Sequence, residues 1–217
     1  MAFATASQDH VVYCFDVLIH SFGDVQAPPA VLFAQAHCPL FVTWSKVSRF
    51  GDYRLRGCIG TLKPRHLHTA LHDYALTSAL QDKRFSPISH EELPHLSCTV
   101  SLLHSFEKAS NWQDWEIGTH GLIIEFRDPN THEHRSATYL PEIAAAEGWT
   151  KLSTIDSLIR KAGFTGHIGY RLKDGLTVTR YQSTAHMMTY KEYTAAVAAP
   201  IESMPAAANS PAVAVQA

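Results

Sequence analysis

Nowhere in its 217 residues does the chain approach the roughly 18 consecutive apolar residues that a membrane-spanning helix requires. The opening MAFATASQDH carries neither the basic nor the long apolar region of a secretory signal, so the cytosol or nucleus is the expected compartment and no membrane partner is expected. Cysteine is sparse. Cys14, Cys38, Cys58 and Cys98 show no CxxC spacing, which excludes a zinc ribbon and, in a reducing compartment, reads as free thiols. Charge of one sign is also lacking: a formal net charge of -2 gives no general field for nucleic acid, which is not expected among the partners. Missing too are a phosphate-binding loop, a cofactor fingerprint, a complete catalytic triad and a metal-ligand set. The sequence therefore predicts no cofactor and no metal, and it specifies no reaction.

What is present is an ordinary folded composition, 46% hydrophobic and 18% charged, which excludes wholesale disorder or a coiled coil. Over 9–22, Val11, Phe15, Leu18 and Phe22 recur at three- and four-residue steps and predict an opening helix, capped by Asp9 and ended by Gly23. GDVQAPPAVLFAQAHCP reads as an irregular connection. LFVTWSKV and YRLRGCIGTL, rich in β-branched and aromatic residues and joined through SRFGD, predict a hairpin. Pro64 then opens a second helix, with Leu67, Ala70, Leu71, Tyr74, Ala75 and Ser78 on its inner face. LSCTVSLLH alternates as a strand that puts Cys98 in the core. GLIIEFRD and HRSATYL flank the turn DPNTHE as a second hairpin. PEIAAAEG and 154–163 read as short helices, and GLTVTRYQS as the last strand. Hairpins mixed with helices predict an α+β fold, an antiparallel sheet with packed helices in one domain over 9–195, with a flexible start at 1–8 and a disordered Ala/Pro-rich tail at 196–217.

YRLRGCIGTL holds the candidate site. In a regular strand Arg54, Arg56 and Cys58 share one side, so the thiol would sit beside two guanidiniums that lower its pKa. Gly57 and Gly60 remove bulk, which lets a ligand or another backbone approach. The alternative is a structural cysteine beside glycines that mark a bulge or a tight crossing. A base for a nucleophilic Cys58 would come from His66, His68 or His120, which the sequence does not place in space. His68 and His72 lie four apart on one helical face, a metal-like spacing without a third ligand, so capping and surface roles fit better. Arg84, in QDKRFSP, either binds an anion or pairs with a carboxylate, and pairing is the simpler reading. Trp112 and Trp115 read as core ahead of a stacking surface.

The blocks YCFDVL, PLFVTW, LRGCIGTL, LTSAL with DKRFSPIS, EELPHLSCTVSLL, DWEIGTHG, ATYLPEIAAAEGW, TIDSLIRKAG and TRYQS follow in order over about 11–193. Together they resemble the AMMECR domain family, named after the AMME syndrome chromosomal-region gene product, and its eukaryotic members most. The resemblance implies a compact α+β fold of a larger and a smaller subdomain and, from the animal member, a nuclear location. It also implies a link, through prokaryotic members, to Memo-like and radical S-adenosylmethionine proteins. It brings no settled activity, and it marks Leu55, Arg56, Gly57, Cys58, Ile59 and Gly60 as the signature proposed to be functional. The departures fall in 23–39, in GFTGHIGYRLKDG and in the Ala-rich tail, and touch connections only. Two functions are expected. The first is a non-catalytic protein-binding module that presents the 55–60 strand and Arg84, with an anionic or small-molecule ligand near Arg56. The second is a thiol-dependent modifying enzyme with Cys58 as nucleophile. The missing triad, metal set and cofactor fingerprint put the binding module first.

Overall fold

The computed structural model describes residues 3–23 and 29–198. Their elements run α1 (Gln8–Ser21), β1 (His37–Val47), β2 (Tyr53–His66), α2 (Leu67–Leu80), a 3-10 turn (His90–His95), β3 (Leu96–Lys108), β4 (Gly121–Arg127), β5 (His134–Tyr139), α3 (Pro141–Ala146), α4 (Lys151–Lys161), α5 (Tyr170–Asp174), β6 (Thr177–Thr189) and α6 (Tyr190–Ala198). The strands form one antiparallel sheet in the order β2-β1-β3-β6-β4-β5, so β2 and β5 are its edges. The fold is α+β.

Local chemistry accounts for most element ends. Ser7, rather than the expected Asp9, caps α1: its backbone N–H and hydroxyl both meet His10 Nδ1, at 3.0 and 2.8 Å. Gly23 follows α1 at φ +86°, a backbone that glycine adopts without a Cβ clash, and its N–H donates to His20 O. Pro64 does not open α2. The strand β2 runs on through it to His66, because an edge strand tolerates the missing N–H, and Leu67 is the first helical residue. Ahead of α1, Phe3 stacks on His104 and the Ala6 N–H donates to Thr184 Oγ1. The last strand extends to Thr189 and passes directly into α6, which the sequence pattern did not reveal. The rest of the tail, from 199 onward, lies outside the described residues, as does 24–28 of the irregular connection.

Alternation along the strands divides the sheet into two faces. On one, Leu40, Val42 and Trp44 of β1 and Leu96, Cys98, Val100 and Leu102 of β3 pack against α1, α2 and Tyr193 of α6. This is the larger core, and each fully buried Leu, Val or Phe in it contributes roughly 1.5–3 kcal/mol. A smaller core gathers Trp112, Trp115, Leu122, Ile124 and Val178 with Ile155, Leu158 and Ile159 of α4. A third cluster lies on the opposite face of the larger core's strands: Phe41 of β1 and Leu62 of β2 join Ile123 of β4, Tyr181 of β6, Leu140 just before α3 and Ile143 within it. Residues from the two ends of the strand order share this cluster, which a flat sheet would not allow, so the sheet curls and turns a concave face inward.

Candidate functional site: the cleft at Cys58

The pairing of β1 with β2 slips twice, between Cys38 and Leu40 and again between Trp44 and Ser45. Trp44 faces Gly57 and Ser45 faces Leu55, leaving Arg56 as the extra residue of a β-bulge. The bulge resets the alternation, and the expected row of Arg54, Arg56 and Cys58 is broken. Arg54 pairs with Asp52 in solvent. Arg56 instead forks onto Glu92, Nε to Oε1 at 3.0 Å and Nη2 to Oε2 at 2.9 Å, and its other N–H groups reach Ser86 O and Pro87 O. Lys46 joins Glu92 at 2.9 Å. Burial of Glu92 works against its charge, but the bonds from Arg56 and Lys46 win and hold it at about 2. The guanidinium of Arg56 is therefore committed to a carboxylate and not to the thiol.

The glycines of the signature serve the backbone. A Cβ on Gly57 would stand 2.0 Å from Ser78 O of α2, and one on Gly60 would stand 2.2 Å from Leu40 O of β1. Between them, both backbone groups of Cys58 on the sheet's outer edge are taken by one ion pair. Asp82 Oδ2 accepts the Cys58 N–H at 3.0 Å, and Arg84 Nη2 donates to Cys58 O at 3.1 Å. Arg84 in turn grips Asp82 through Nε to Oδ1 at 3.0 Å and Nη2 to Oδ2 at 2.6 Å. Asp82 is 7% exposed. The Arg84 bonds outweigh that burial and hold its carboxyl down at about 2. QDKRFSP is thus the clasp of the edge strand, and Arg84 pairs as expected.

The Cys58 side chain lies on the concave face, opposite Thr43, whose hydroxyl donates to Sγ at 3.1 Å. Burial pushes the thiol pKa up. The Thr43 bond and the charges of Arg84 and Lys161 pull it back, while Glu142 pushes it further up. Lys161, at the end of α4, donates to Thr138 O at 2.8 Å and lies over the Tyr139 ring at 4.4 Å. Its amine is pushed down, first by burial. Glu142, in the first turn of α3, is pushed up by burial. Both side chains are nevertheless solvent-exposed. The concave face also holds Tyr181, whose hydroxyl donates to Tyr139 O at 3.0 Å, and Ser101, which pairs across from Phe41. Ser101 Oγ is buried with no hydrogen-bond partner among the described residues.

A family model described as AMMECR1 matches residues 11–186. The chain is 53% identical over 189 residues to an uncharacterized protein of Arabidopsis thaliana, covering 87% of this chain and 88% of that one. It is 42% identical over 171 residues to an uncharacterized protein of Kluyveromyces lactis, covering 73% and 75%. The chain belongs to the AMMECR1 family. Its fold resembles the crystal structure of an uncharacterized protein from Pyrococcus horikoshii, with a TM-score of 0.64 at 22% identity over 82% of this chain and 88% of that one.

Within this AMMECR1-family chain the signature residues lie on one strand but do different things. Leu55 is 45% exposed on the concave side, Arg56 is locked to Glu92, Gly57 and Gly60 seat the strand, and Ile59 faces Val42 on the side of the larger core. The histidines weighed as bases are engaged elsewhere. His66 stacks edge-on to His37, His68 Nε2 bonds Phe33 O, and His120 Nδ1 accepts the Glu116 N–H of its own turn. His72 sits in solvent beside Asp73. Trp112 and Trp115 are core, 7% and 2% exposed. Sequence reasoning missed Lys161, Glu142 and Tyr181, which lie more than eighty residues from the signature and reach it only through the curl of the sheet. The signal that was available is the pair of blocks ATYLPEIAAAEGW and TIDSLIRKAG, which carry Glu142 and Lys161.

Proposed function

We propose that this AMMECR1-family protein is a binding module of the nucleus or cytosol whose ligand enters the concave cleft and rests against Cys58. The observation that carries this reading is the combination of a half-accessible thiol with Lys161 and Glu142, three ionisable groups that are partly desolvated and still reachable from solvent. An added β-strand is disfavoured as the ligand at Cys58, because Asp82 and Arg84 already occupy that peptide on the edge. Arg84 and the 55–60 strand build the site, and the thiol itself faces the ligand.

A second reading is a thiol-dependent modifying enzyme: burial, the largest effect, holds the Cys58 thiol above its ordinary pKa, while the Thr43 bond and the charges of Arg84 and Lys161 pull toward the nucleophilic thiolate. Replacing Cys58 by Ser separates the two. A binding module keeps its ligand within a few-fold, read by thermal-shift screening of a metabolite panel on both proteins, and the variant keeps its cellular role. Loss of that role with folding and ligand binding intact argues for thiol chemistry. A panel that shifts neither protein counts against the cleft as a ligand site.

A further inference from the structure

Where β4 ends and β5 and β6 begin, a cavity of about 1000 Å3 opens between the strands and the segment 167–175, and it shares no residue with the cleft at Cys58. Its size is at the upper end of the roughly 300–1,000 Å3 of small-molecule sites. Strand register sets one wall. Glu125 and Arg127 alternate onto one face of β4, His134 of β5 stands opposite Arg127, and Thr177 of β6 stands opposite Glu125. The other wall brings His167, Tyr170, Arg171 and Leu172. The charge is lopsided: two guanidiniums face one carboxylate, and that carboxylate already has His134 Nε2 at 3.6 Å. Arg127 holds only His132 O, at 3.4 Å, and Arg171 has no hydrogen-bond or ion-pair partner among the described residues. By contrast Arg54, Arg56, Arg65, Arg84, Arg135 and Arg180 all hold carboxylates. Beside Arg171, the Tyr170 ring has the Lys173 ammonium 5.3 Å from its centroid, and that lysine is buried and tied to Asp156 at 2.9 Å. Tyr170 is still 69% exposed, so its ring is backed by a cation and open to the cavity.

We propose that this cavity binds a mononucleotide, with its phosphate on Arg127 and Arg171 and its base on the open face of Tyr170. A guanidinium is a planar fork that takes two phosphate oxygens at once, and two of them match a dianion, whereas a carboxylate brings one charge to two cations. An aromatic ring offers stacking to any base, because every base has a flat π-face. Glu125 and Thr177 on the strand wall supply an acceptor and a hydroxyl for the amino and hydroxyl groups of the base and sugar. A single nucleotide fits better than a strand, since a net charge of -2 gives the chain no general attraction for a polyanion.

The test is isothermal titration of the intact protein with the 5′-monophosphates of adenosine, guanosine, cytidine and uridine. The four nucleosides serve as ring-only counterparts and ribose 5-phosphate as the phosphate-only one. At least one nucleotide is expected to bind, with its nucleoside and ribose 5-phosphate weaker by about tenfold or more. Arg127→Gln and Arg171→Gln should each weaken that nucleotide by about tenfold, and Tyr170→Ala should weaken it while leaving ribose 5-phosphate unchanged. All three side chains are exposed, so the variants should melt like the parent. Cys58→Ser should bind like the parent, because the cavity does not include it. No binding of any of the four nucleotides up to about 1 mM, ribose 5-phosphate as tight as the nucleotide, or binding indifferent to both arginine variants overturns the proposal. So does binding that is lost in Cys58→Ser and kept in the arginine variants, which would put the nucleotide in the cleft instead.

Discussion

A single methyl group at residue 57 would stand 2.0 Å from a backbone carbonyl of α2, and backbone has little room to give. Gly57→Ala is expected to lower stability by about 3 kcal/mol or more, read by urea unfolding, although the residue touches no ligand. Asp82 holds two partners at once, so Asp82→Ala should cost about 1–3 kcal/mol at neutral pH. Its folded pKa of about 2 lies below the ordinary 3.8. The contribution is therefore complete above about pH 4 and is lost as pH falls toward 2. The gap between parent and variant should close over that interval, and a gap that stays constant with pH would show that the carboxylate charge is not what stabilises the strand. At this scale the sequence was misleading about the thiol: Arg56 is one residue from Gly57 and two from Cys58, but its charge is spent on Glu92, 36 residues away.

At the scale of elements, α6 closes the larger core over α1. Tyr193 stacks on Phe15 at 4.8 Å, and its hydroxyl donates to Asp16 Oδ1 at 2.7 Å. Tyr193→Phe should cost about 1 kcal/mol in thermal or urea unfolding, and no loss would mean that water replaces the bond. Both hairpins, the faces of α1 and α2, and the short helices α3 and α4 were legible, because each rests on a local period or a turn signal such as Asp128, whose carboxylate takes the N–H groups of Asn130 and Thr131. The bulge at Arg56 was not legible. It depends on the pairing partner Ser45 and on the pull of Glu92, neither of which leaves a local pattern. The continuation of β2 through Pro64 was hidden for a similar reason, since the sequence does not say that β2 is an edge. The candidate site was half legible: the strand that carries Cys58 stood out, while its facing wall depended on long-range packing.

The whole molecule joins its two subdomain cores through one sheet, with β3 and β6 paired over most of their length. Unfolding should accordingly be a single transition, with tryptophan fluorescence from Trp44 in one core and Trp112 and Trp115 in the other coinciding with far-ultraviolet circular dichroism. Separate midpoints would show that the cores melt independently. The same continuous, curled sheet turns the Cys58 side chain onto its concave face beside Thr43, so the accessibility of that thiol reports directly on that face. The most direct measurement is the alkylation rate of each cysteine against pH in the folded protein, resolved by peptide mass spectrometry. Cys58 is expected to react in the native state, more slowly than a free thiol at neutral pH and faster as pH rises, because burial holds its pKa above the ordinary value. Cys14 and Cys98, both 0% exposed, should react only on unfolding. A native Cys58 as inert as those two would contradict the account, for no cleft would then reach the thiol.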